Sequence, residues 1–278
     1  MNWRNWLVVP TLVMLTACSS STQEGAIGIQ RKQFLLLPSA QVNAMALQSY
    51  RGELSAAKKK GALNTDKANL ERIRIIADRL IPQAAVFRPD ALSWQWEVNL
   101  ESRNELNAYC APGGKIMFFT GIISQLKLSD DEIAAIMGHE MAHALREHGR
   151  ERVSQAYAQQ AGMSLLAALT NINAQQAAVL QTATTLGLTL PHGRGQESEA
   201  DVIGLEILAR AGYDPRASVS LWQKMGAASK GSTPSFLSTH PSSSQRIDEL
   251  QSKMATVMPL YEATKRNPPT SKMIVPRS

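Results

Sequence analysis

Hydrophobic side chains recur with a helical period over most of this chain. Residues 40–60 predict a first helix, and Thr65 or Asn64 can cap a second one. Ser129 and Glu132 have the spacing of a capping box, which predicts the start of a third helix. Further helical segments follow in the second half of the chain, at residues 153–190, at residues 196–211, after Pro215 and from Pro241.

A different pattern, strict alternation of hydrophobic and polar residues, covers residues 94–101. Alternation with a period of two predicts a half-buried strand. Residues 105–110 and 115–120 are two further strand candidates, and the intervening Pro112-Gly113-Gly114 predicts a hairpin turn. We therefore expect an α+β fold in which helices dominate and a small sheet of three or four strands lies in the first half of the chain.

The composition limits the class of protein. Hydrophobic residues make up 44% of the 278 residues and charged residues 19%, which is typical of a globular chain and excludes extensive disorder. A single segment, near residue 7, is apolar enough to enter a membrane, so the sequence excludes a multi-span protein. The net charge of +6 is mild, and no basic run is interleaved with the few aromatic residues, so binding to nucleic acid is not expected.

The N-terminus has the three parts of a secretory signal. Arg4 supplies positive charge, residues 6–15 are apolar but too short for a permanent span, and the run Leu-Thr-Ala-Cys ends at Cys18. This run resembles the bacterial lipobox, whose cysteine carries lipid; the alternative is a free cysteine after an ordinary signal. By the same resemblance, Ser19 in place of an aspartate implies the periplasmic face of the outer membrane. Acyl chains on Cys18 would give stable attachment to the membrane.

The chain is expected to divide into four parts. These are a signal peptide with its lipobox (1–18), a polar tether (19–39), one main domain (40–258) and a loosely held tail rich in proline and basic residues (259–278). Cys110 has no second cysteine to pair with once Cys18 carries lipid. We expect it to be a small buried hydrophobic side chain.

The sharpest chemical signal is the sequence His139-Glu140-Met141-Ala142-His143, inside the helix that the capping box opens. Side chains four residues apart lie on one face of a helix, so both imidazoles can reach one Zn²⁺ ion. Glu140 can approach the open position of the metal and take a proton from bound water. The pattern therefore predicts a catalytic zinc site with one ion per chain.

A catalytic zinc ion needs a third protein ligand. The metzincin pattern would place a glycine and a histidine where this chain has Arg146 and Gly149, so that pattern fails. His148 is one position out of register on a continuous helix, and it is expected to be a solvated histidine. The third ligand must then come from elsewhere in the chain.

Another class of zinc peptidase takes its third ligand from a later helix. Glu197 and Asp201 share one helix face, whereas Glu199 points elsewhere. One of the first two can bind zinc while the other orients a ligating histidine. From these residues alone, a solvated acidic helix start attracted to the N-terminal dipole is the simpler interpretation.

Three stretches together resemble the motif set of the HtpX-like gluzincin metallopeptidases, a family that includes the CAAX prenyl protease and bacterial lipoproteins. The stretches are residues 139–143, residues 194–201, and His240-Pro241 with Arg246; the resemblance covers about residues 65–255. It implies a mainly helical, zincin-type metallopeptidase domain with a small mixed sheet. It also implies that Glu197 is the third zinc ligand and that Asp201 orients a ligating histidine.

The resemblance implies roles for four further residues. Asn107 and Ala108 resemble the substrate-binding edge strand of the family. His240 resembles a late histidine that can cover the zinc at rest or contact the substrate carbonyl; an exposed, idle loop histidine is the alternative. Arg246 could stabilise the oxyanion or hold an acidic residue at the site. His192 is expected to be a loop residue without a role.

The predicted function is that of a zinc-dependent endopeptidase, held on the outer membrane by lipid, that cleaves unfolded or misassembled envelope polypeptides. The long helical chain after His143 could fold over its cleft as a lid. The rival hypothesis is a lipoprotein chaperone or assembly factor with a structural or latent zinc site. Glu140 argues against the rival, because a structural site has no use for a general base.

Overall fold

The computed structural model of the protein describes residues 18–170, 192–228, 235–241, 244–268 and 273–277. The predicted signal peptide before Cys18 and residues 171–190 of the predicted lid lie outside this part. The strands and longer helices are β1 (Cys18–Ser19), β2 (Gln33–Phe34), α1 (Ser39–Lys59), α2 (Lys67–Leu80), β3 (Glu97–Glu101), β4 (Ala108–Ala111), β5 (Lys115–Phe119), α3 (Thr120–Gln125), α4 (Asp130–Leu145), α5 (His148–Thr170), α6 (Arg194–Arg210), α7 (Ala217–Ala228), α8 (Ser235–Thr239) and α9 (Ser244–Arg266). Helices dominate and the sheet is small, so the predicted α+β fold is confirmed. Within the described residues, no helix combines the length and the hydrophobicity needed to cross a membrane.

The small sheet has the strand order β3-β5-β4, so β4 lies at one edge. Strand β3 is parallel to β5 and β4 is antiparallel to it, which makes the sheet mixed. Gly113 and Gly114 have φ angles of 79° and 81°, the left-handed conformation that the predicted hairpin turn between β4 and β5 requires. Strand β3 begins at Glu97, later than predicted. Trp94 instead follows a 3₁₀ turn and stacks on Trp96, with 5.5 Å between the ring centroids.

Capping interactions set the starts of α2 and α4. The Ser129 hydroxyl accepts a hydrogen bond from the Glu132 amide at 3.2 Å, and the Glu132 carboxylate accepts one from the Ser129 amide at 2.9 Å. The predicted capping box is therefore confirmed. The prediction that Thr65 or Asn64 caps α2 was wrong, because the Asp66 carboxylate accepts the backbone N–H of the first turn instead.

Helices α4 and α6 cross where Gly138 faces Gly204. A β-carbon on Gly204 would lie 2.8 Å from the backbone nitrogen of His139, and one on Gly138 would lie 3.0 Å from the carbonyl oxygen of Gly204. Two glycines therefore let the backbones touch. This close approach brings the acidic residues of α6 alongside the histidines of α4.

The hydrophobic core lies between the sheet and these helices. On α4, Ile133, Ile136 and Met137 are fully buried and form one apolar stripe that faces the core. Ile73 and Ile76 of α2 belong to the same core. The H-E-x-x-H motif of α4 is thus part of a helix that packs in the core.

Residues 18–37, here called the N-terminal arm, lie along the main domain, although the sequence alone suggests a polar tether. The backbone N–H of Ala26 donates to the Glu206 carboxylate at 2.9 Å. Arg31 forms ion pairs with Glu151 at 2.6 Å and with Glu199 at 2.8 Å. Ile27 and Leu35 of the arm are buried as well, so backbone groups, charges and a few apolar side chains together hold it on the domain.

Part of the predicted C-terminal tail is ordered in the structure. Helix α9 continues through Pro259 to Arg266. Farther on, the backbone N–H groups of Ile274 and Val275 donate to the Asp78 carboxylate at 2.8 and 2.9 Å. Residues at both ends of the described chain are therefore bound to the main domain through buried carboxylates.

Candidate metal centre and active site

The H-E-x-x-H sequence lies in the C-terminal half of α4, as predicted. His139, Glu140 and His143 are buried there. Glu197 is buried in the first turn of α6, and His240 is buried directly after the short helix α8. Residues from three separate helical segments therefore meet at one point of the core.

Four possible ligand atoms converge at this point. Nε2 of His139 lies 3.1 Å from Nε2 of His143 and 3.6 Å from Oε2 of Glu197. Nε2 of His143 lies 3.4 Å from Oε1 of Glu197. Nδ1 of His240 lies 3.3 Å from Nε2 of His139 and 3.1 Å from Oε1 of Glu197. The structure thus brings together the three predicted ligands, with His240 as a fourth member of the group.

The spacing of these atoms suits a bound divalent metal. Ligand atoms about 2.1 Å from a tetrahedral ion are roughly 3.4 Å apart, and the separations between the histidine nitrogens and the Glu197 oxygens run from 3.1 to 3.6 Å. Oε1 of Glu140 is buried beside the group and has no hydrogen-bond partner among the described residues. A buried polar atom normally has a partner. A metal ion with a water molecule would satisfy both observations, so the residues fit a metal centre.

Glu140 is placed to exchange a proton at this group. Its Oε1 lies 3.5 Å from Nε2 of His240. Burial raises the pKa of the Glu140 carboxyl, although the neighbouring imidazoles His240 and His139 oppose the shift. A raised pKa means a higher affinity for a proton, which suits a general base.

Asp201 holds the far side of the His139 ring. Its Oδ1 lies 3.1 Å from Nδ1 of His139, and Arg246 donates two hydrogen bonds to the same carboxylate at 2.6 and 2.7 Å. Burial opposes ionisation, but the charge of Arg246 and the hydrogen bonds lower the pKa of Asp201. An ionised carboxylate accepts the N–H at Nδ1 and leaves Nε2 free for a metal. Asp201 therefore lies where an orienting partner is expected.

Arg246 and His240 had two possible roles each. Nη1 of Arg246 lies 2.6 Å from Oε2 of Glu197, and its guanidinium stacks on Trp222 with the carbon 3.7 Å from the ring centroid. Together with the bonds to Asp201, these contacts support the role of holding acidic side chains.

His240 is buried, so the alternative of an exposed, idle histidine was wrong. Its position suits covering a metal at rest.

A cleft of about 350 Å³ opens beside the group, between α1 and the edge strand β4. Asn107 and Ala108 line it, with Tyr50 of α1 opposite and with Glu140 and His143 at the metal group. An edge strand has unpaired backbone groups that an extended peptide can use. The predicted substrate-binding residues therefore lie on a cleft that reaches the candidate active site.

Two other predictions concerned side chains near the cleft. Cys110 of β4 is buried, as expected, and burial raises the pKa of its thiol. His192 was expected to have no role, but its ring centroid lies 3.8 Å from that of His143. Its backbone N–H donates to the carbonyl of Thr239 at 3.0 Å. The sequence signal for the proximity of His192 to His143 is that His192 lies just before the second motif, residues 194–201.

The prediction of a solvated His148 was wrong. Helix α4 ends at Leu145, and Glu147 has a φ angle of 49°, so the helix is broken before a new one begins at His148. His148 is 0% exposed, and its Nδ1 lies 2.8 Å from Nδ1 of His143. On an unbroken helix His148 would lie off the face of His139 and His143. No local signal marks the break, because glutamate is not a residue type enriched in the left-handed region.

Comparison with known proteins gives a consistent picture. The model of peptidase family M48 matches residues 67–254. Mitochondrial metalloendopeptidase OMA1 of Arabidopsis thaliana is 38% identical over 154 residues, which cover 54% of this chain and 30% of that protein. Mitochondrial metalloendopeptidase OMA1 of Schizosaccharomyces pombe is 36% identical over 159 residues, covering 56% and 46%. The Beta-barrel assembly-enhancing protease of Yersinia pestis is 24% identical over 211 residues, covering 72% and 42%.

The match spans between 30% and 46% of the length of these relatives. The region matched by the family model contains the H-E-x-x-H helix, Glu197 and the late His240. It also covers more than half of the chain, and the geometry of the site agrees with it. The chain belongs to peptidase family M48.

Proposed function

We propose that this protein is a zinc-dependent endopeptidase. The observation that carries the proposal is the buried group of His139, His143 and Glu197 with Glu140 beside it. Two imidazoles and one carboxylate form the donor set of several catalytic zinc sites, in which a fourth position stays open. Membership of family M48 and the metalloendopeptidase names of the two OMA1 relatives support the same activity.

The residues of the chain have distinct tasks in peptide hydrolysis. A bound zinc ion would supply a Lewis acid at the scissile carbonyl and acidify a water molecule. Glu140 takes a proton from the attacking water at Oε1 and later gives it to the leaving amine. Asp201 and Arg246 keep His139 in the tautomer that offers Nε2. If His240 covers the metal at rest, it must move before the substrate approaches. In its alternative role, it donates a hydrogen bond to the substrate carbonyl oxygen.

The proposed substrate is an extended, unfolded polypeptide segment. Strand β4 is an edge strand on the cleft, so it can pair with a substrate strand through backbone hydrogen bonds. Such bonds are indifferent to the side chains of the substrate. Broad sequence tolerance suits the removal of proteins that have failed to fold.

The proposed location is the periplasmic face of the bacterial outer membrane, with lipid on Cys18. The lipobox-like residues 15–18 and the following Ser19 support it. Misassembled envelope proteins are then the proposed substrates, and the similarity to a protein named Beta-barrel assembly-enhancing protease supports this class. The OMA1 relatives are named as mitochondrial, so the location rests on the N-terminal residues of this chain.

A chaperone or assembly factor with a structural or latent zinc site is the second candidate. One observation favours it: His240 completes a group of four donors, and structural zinc sites are closed by four protein ligands. Glu140 favours the enzyme: its buried Oε1 accepts no hydrogen bond from the described residues, and a closed structural site has no use for a general base.

Substitution of Glu140 separates the two candidates. Glu140→Gln should keep about one zinc ion per chain, because Glu140 is not a ligand, and should lower cleavage of an unfolded protein such as reduced casein by about 10²-fold or more. Glu71→Gln, at an exposed position on α2, is the matched control and should cleave like the parent. Parental cleavage by Glu140→Gln would refute the assigned general base. Unfolding on chelation, with no casein cleavage by the zinc-loaded parent, would favour the structural site.

A further inference from the structure

His148 has no task in the proposed reaction, yet it is fully buried beside the metal centre. Its Nδ1 lies 2.8 Å from Nδ1 of His143, and its Nε2 lies 3.0 Å from Oε2 of Glu199. It therefore connects a candidate metal ligand on α4 with a carboxylate on α6. We propose that His148 is a positioning residue that holds His143 in the tautomer and orientation needed to bind the metal.

The hydrogen atoms of the two rings have one arrangement that is compatible with a metal on His143. To bind through Nε2, a neutral His143 carries its proton on Nδ1. That N–H donates to Nδ1 of His148, which accepts it when the proton of His148 is on Nε2. The Nε2–H of His148 then donates to Glu199, which only accepts. Each polar atom of this imidazole bridge, formed by His143, His148 and Glu199, therefore has one role.

The carboxylate at the end of the imidazole bridge is itself fixed. Nη2 of Arg146 and Nη2 of Arg31 each donate to Glu199 at 2.8 Å. Two guanidinium groups on one buried carboxylate suit its ionised form, which only accepts hydrogen bonds.

The position of Glu199 on α6 explains why an intermediate imidazole is needed. Glu197 and Asp201 share a helix face, and Asp201 contacts His139 directly. Glu199 lies between them in sequence and on another face, so it meets His148 and not His143. Metal-binding histidines usually donate their second N–H to a carboxylate or a carbonyl. His143 donates to an imidazole that is held by a carboxylate.

The inference rests on the proposed metal centre, and zinc affinity tests it without a measurement of activity. The full-length protein in detergent is titrated with Zn²⁺ in competition with a chromophoric chelator. His148→Leu removes both hydrogen bonds and should weaken zinc binding by about 10- to 100-fold. His148→Gln keeps an acceptor and a donor on one planar group and should recover most of the affinity. If His148→Leu does not fold, His148→Asn is measured in its place. Its shorter side chain should weaken zinc binding in the same way.

Two controls separate positioning from general stability and from the metal centre itself. Ile73→Val removes one methylene from the core on α2 and should lower the Tm while leaving zinc affinity unchanged. His143→Ala should bind zinc much more weakly than the parent. Equal affinity of parent and His148→Leu, with His143→Ala weakened, would refute the imidazole bridge alone. Equal weakening by His148→Gln and His148→Leu would also refute it.

The remaining outcome concerns the proposed function. If the parent binds no zinc, or if His143→Ala binds zinc as tightly as the parent, the metal centre is refuted and the imidazole bridge with it. These results are distinguishable from failure of the imidazole bridge alone, because there the affinity still depends on His143.

Discussion

Replacement of Gly204 by alanine tests whether the metal centre depends on the close crossing of α4 and α6. The new β-carbon would lie 2.8 Å from the backbone nitrogen of His139, whereas ordinary van der Waals contacts begin at 3.4 Å. The contact is with backbone, so no side chain can rotate away. The two helices must separate locally by about 0.6 Å to relieve the overlap.

Such a displacement affects both stability and metal binding. Overpacking of a core costs about 1–3 kcal/mol, and the intrinsic preference of a helix for alanine over glycine returns about 0.5–1 kcal/mol. A net loss of up to about 2.5 kcal/mol in the free energy of unfolding is expected. Glu197 and His139 lie on the two helices, and metal–ligand distances tolerate changes of only about 0.2 Å. Zinc affinity should therefore fall by about tenfold or more.

Urea unfolding of the metal-free protein and zinc titration measure the two effects. Gly162→Ala is the matched control, because a β-carbon at this helical position on α5 would meet none of the described atoms within 4 Å. It should stabilise the protein by about 0.5–1 kcal/mol and leave zinc affinity unchanged. If Gly204→Ala behaves like Gly162→Ala in both measurements, the helix crossing does not set the ligand geometry, and the reasoning is refuted.

Four further changes have expected outcomes. Burial opposes ionisation of Glu151, but its bonds to Arg31 and Gln196 lower its pKa below 4.5. The stabilisation that its charge gives is therefore present above pH 4.5 and is lost as the pH falls through the lowered pKa, so Glu151→Gln should flatten the fall of stability below pH 4.5 in urea unfolding. Arg31→Ala should speed amide hydrogen exchange in the N-terminal arm, and exposed Arg103→Ala should not. His240→Ala should keep its zinc and change the casein cleavage rate, upwards if His240 covers the metal and downwards by about 10²-fold if it donates to the oxyanion; an unchanged rate would make it a bystander. Cys18→Ala should abolish fractionation with outer membranes after a salt wash, and continued membrane association would refute the lipid anchor.

The sequence predicts those features that depend on local pattern and short spacing. The apolar stripe of Ile133 and Ile136, the capping box at Ser129 and the turn at Gly113 each follow from a few neighbouring residues. His139 and His143 share a face for the same reason. These elements are also the ones that position the site.

Long-range contacts between polar residues are beyond such reasoning. His148 was misplaced because one left-handed residue, Glu147, breaks the helix and turns the ring inward. Glu199 looked solvated because the arginines that balance its charge lie 53 and 168 residues away. A single sequence shows the charges but not which of them meet. The structure therefore differs from the prediction mainly in its buried ionic networks.

The N-terminal arm has a consequence for what the proposed enzyme can reach. The Ser20 hydroxyl accepts a hydrogen bond from Arg146 at 2.8 Å, and Cys18 lies two residues earlier, a span of at most about 7 Å of extended chain. Arg146 follows His143 by three residues. With lipid on Cys18, the short connection would limit how far the metal centre can lie from the bilayer. The proposed enzyme would then act in a thin layer next to the membrane, and it would cut a polypeptide held at the surface before one that diffuses freely.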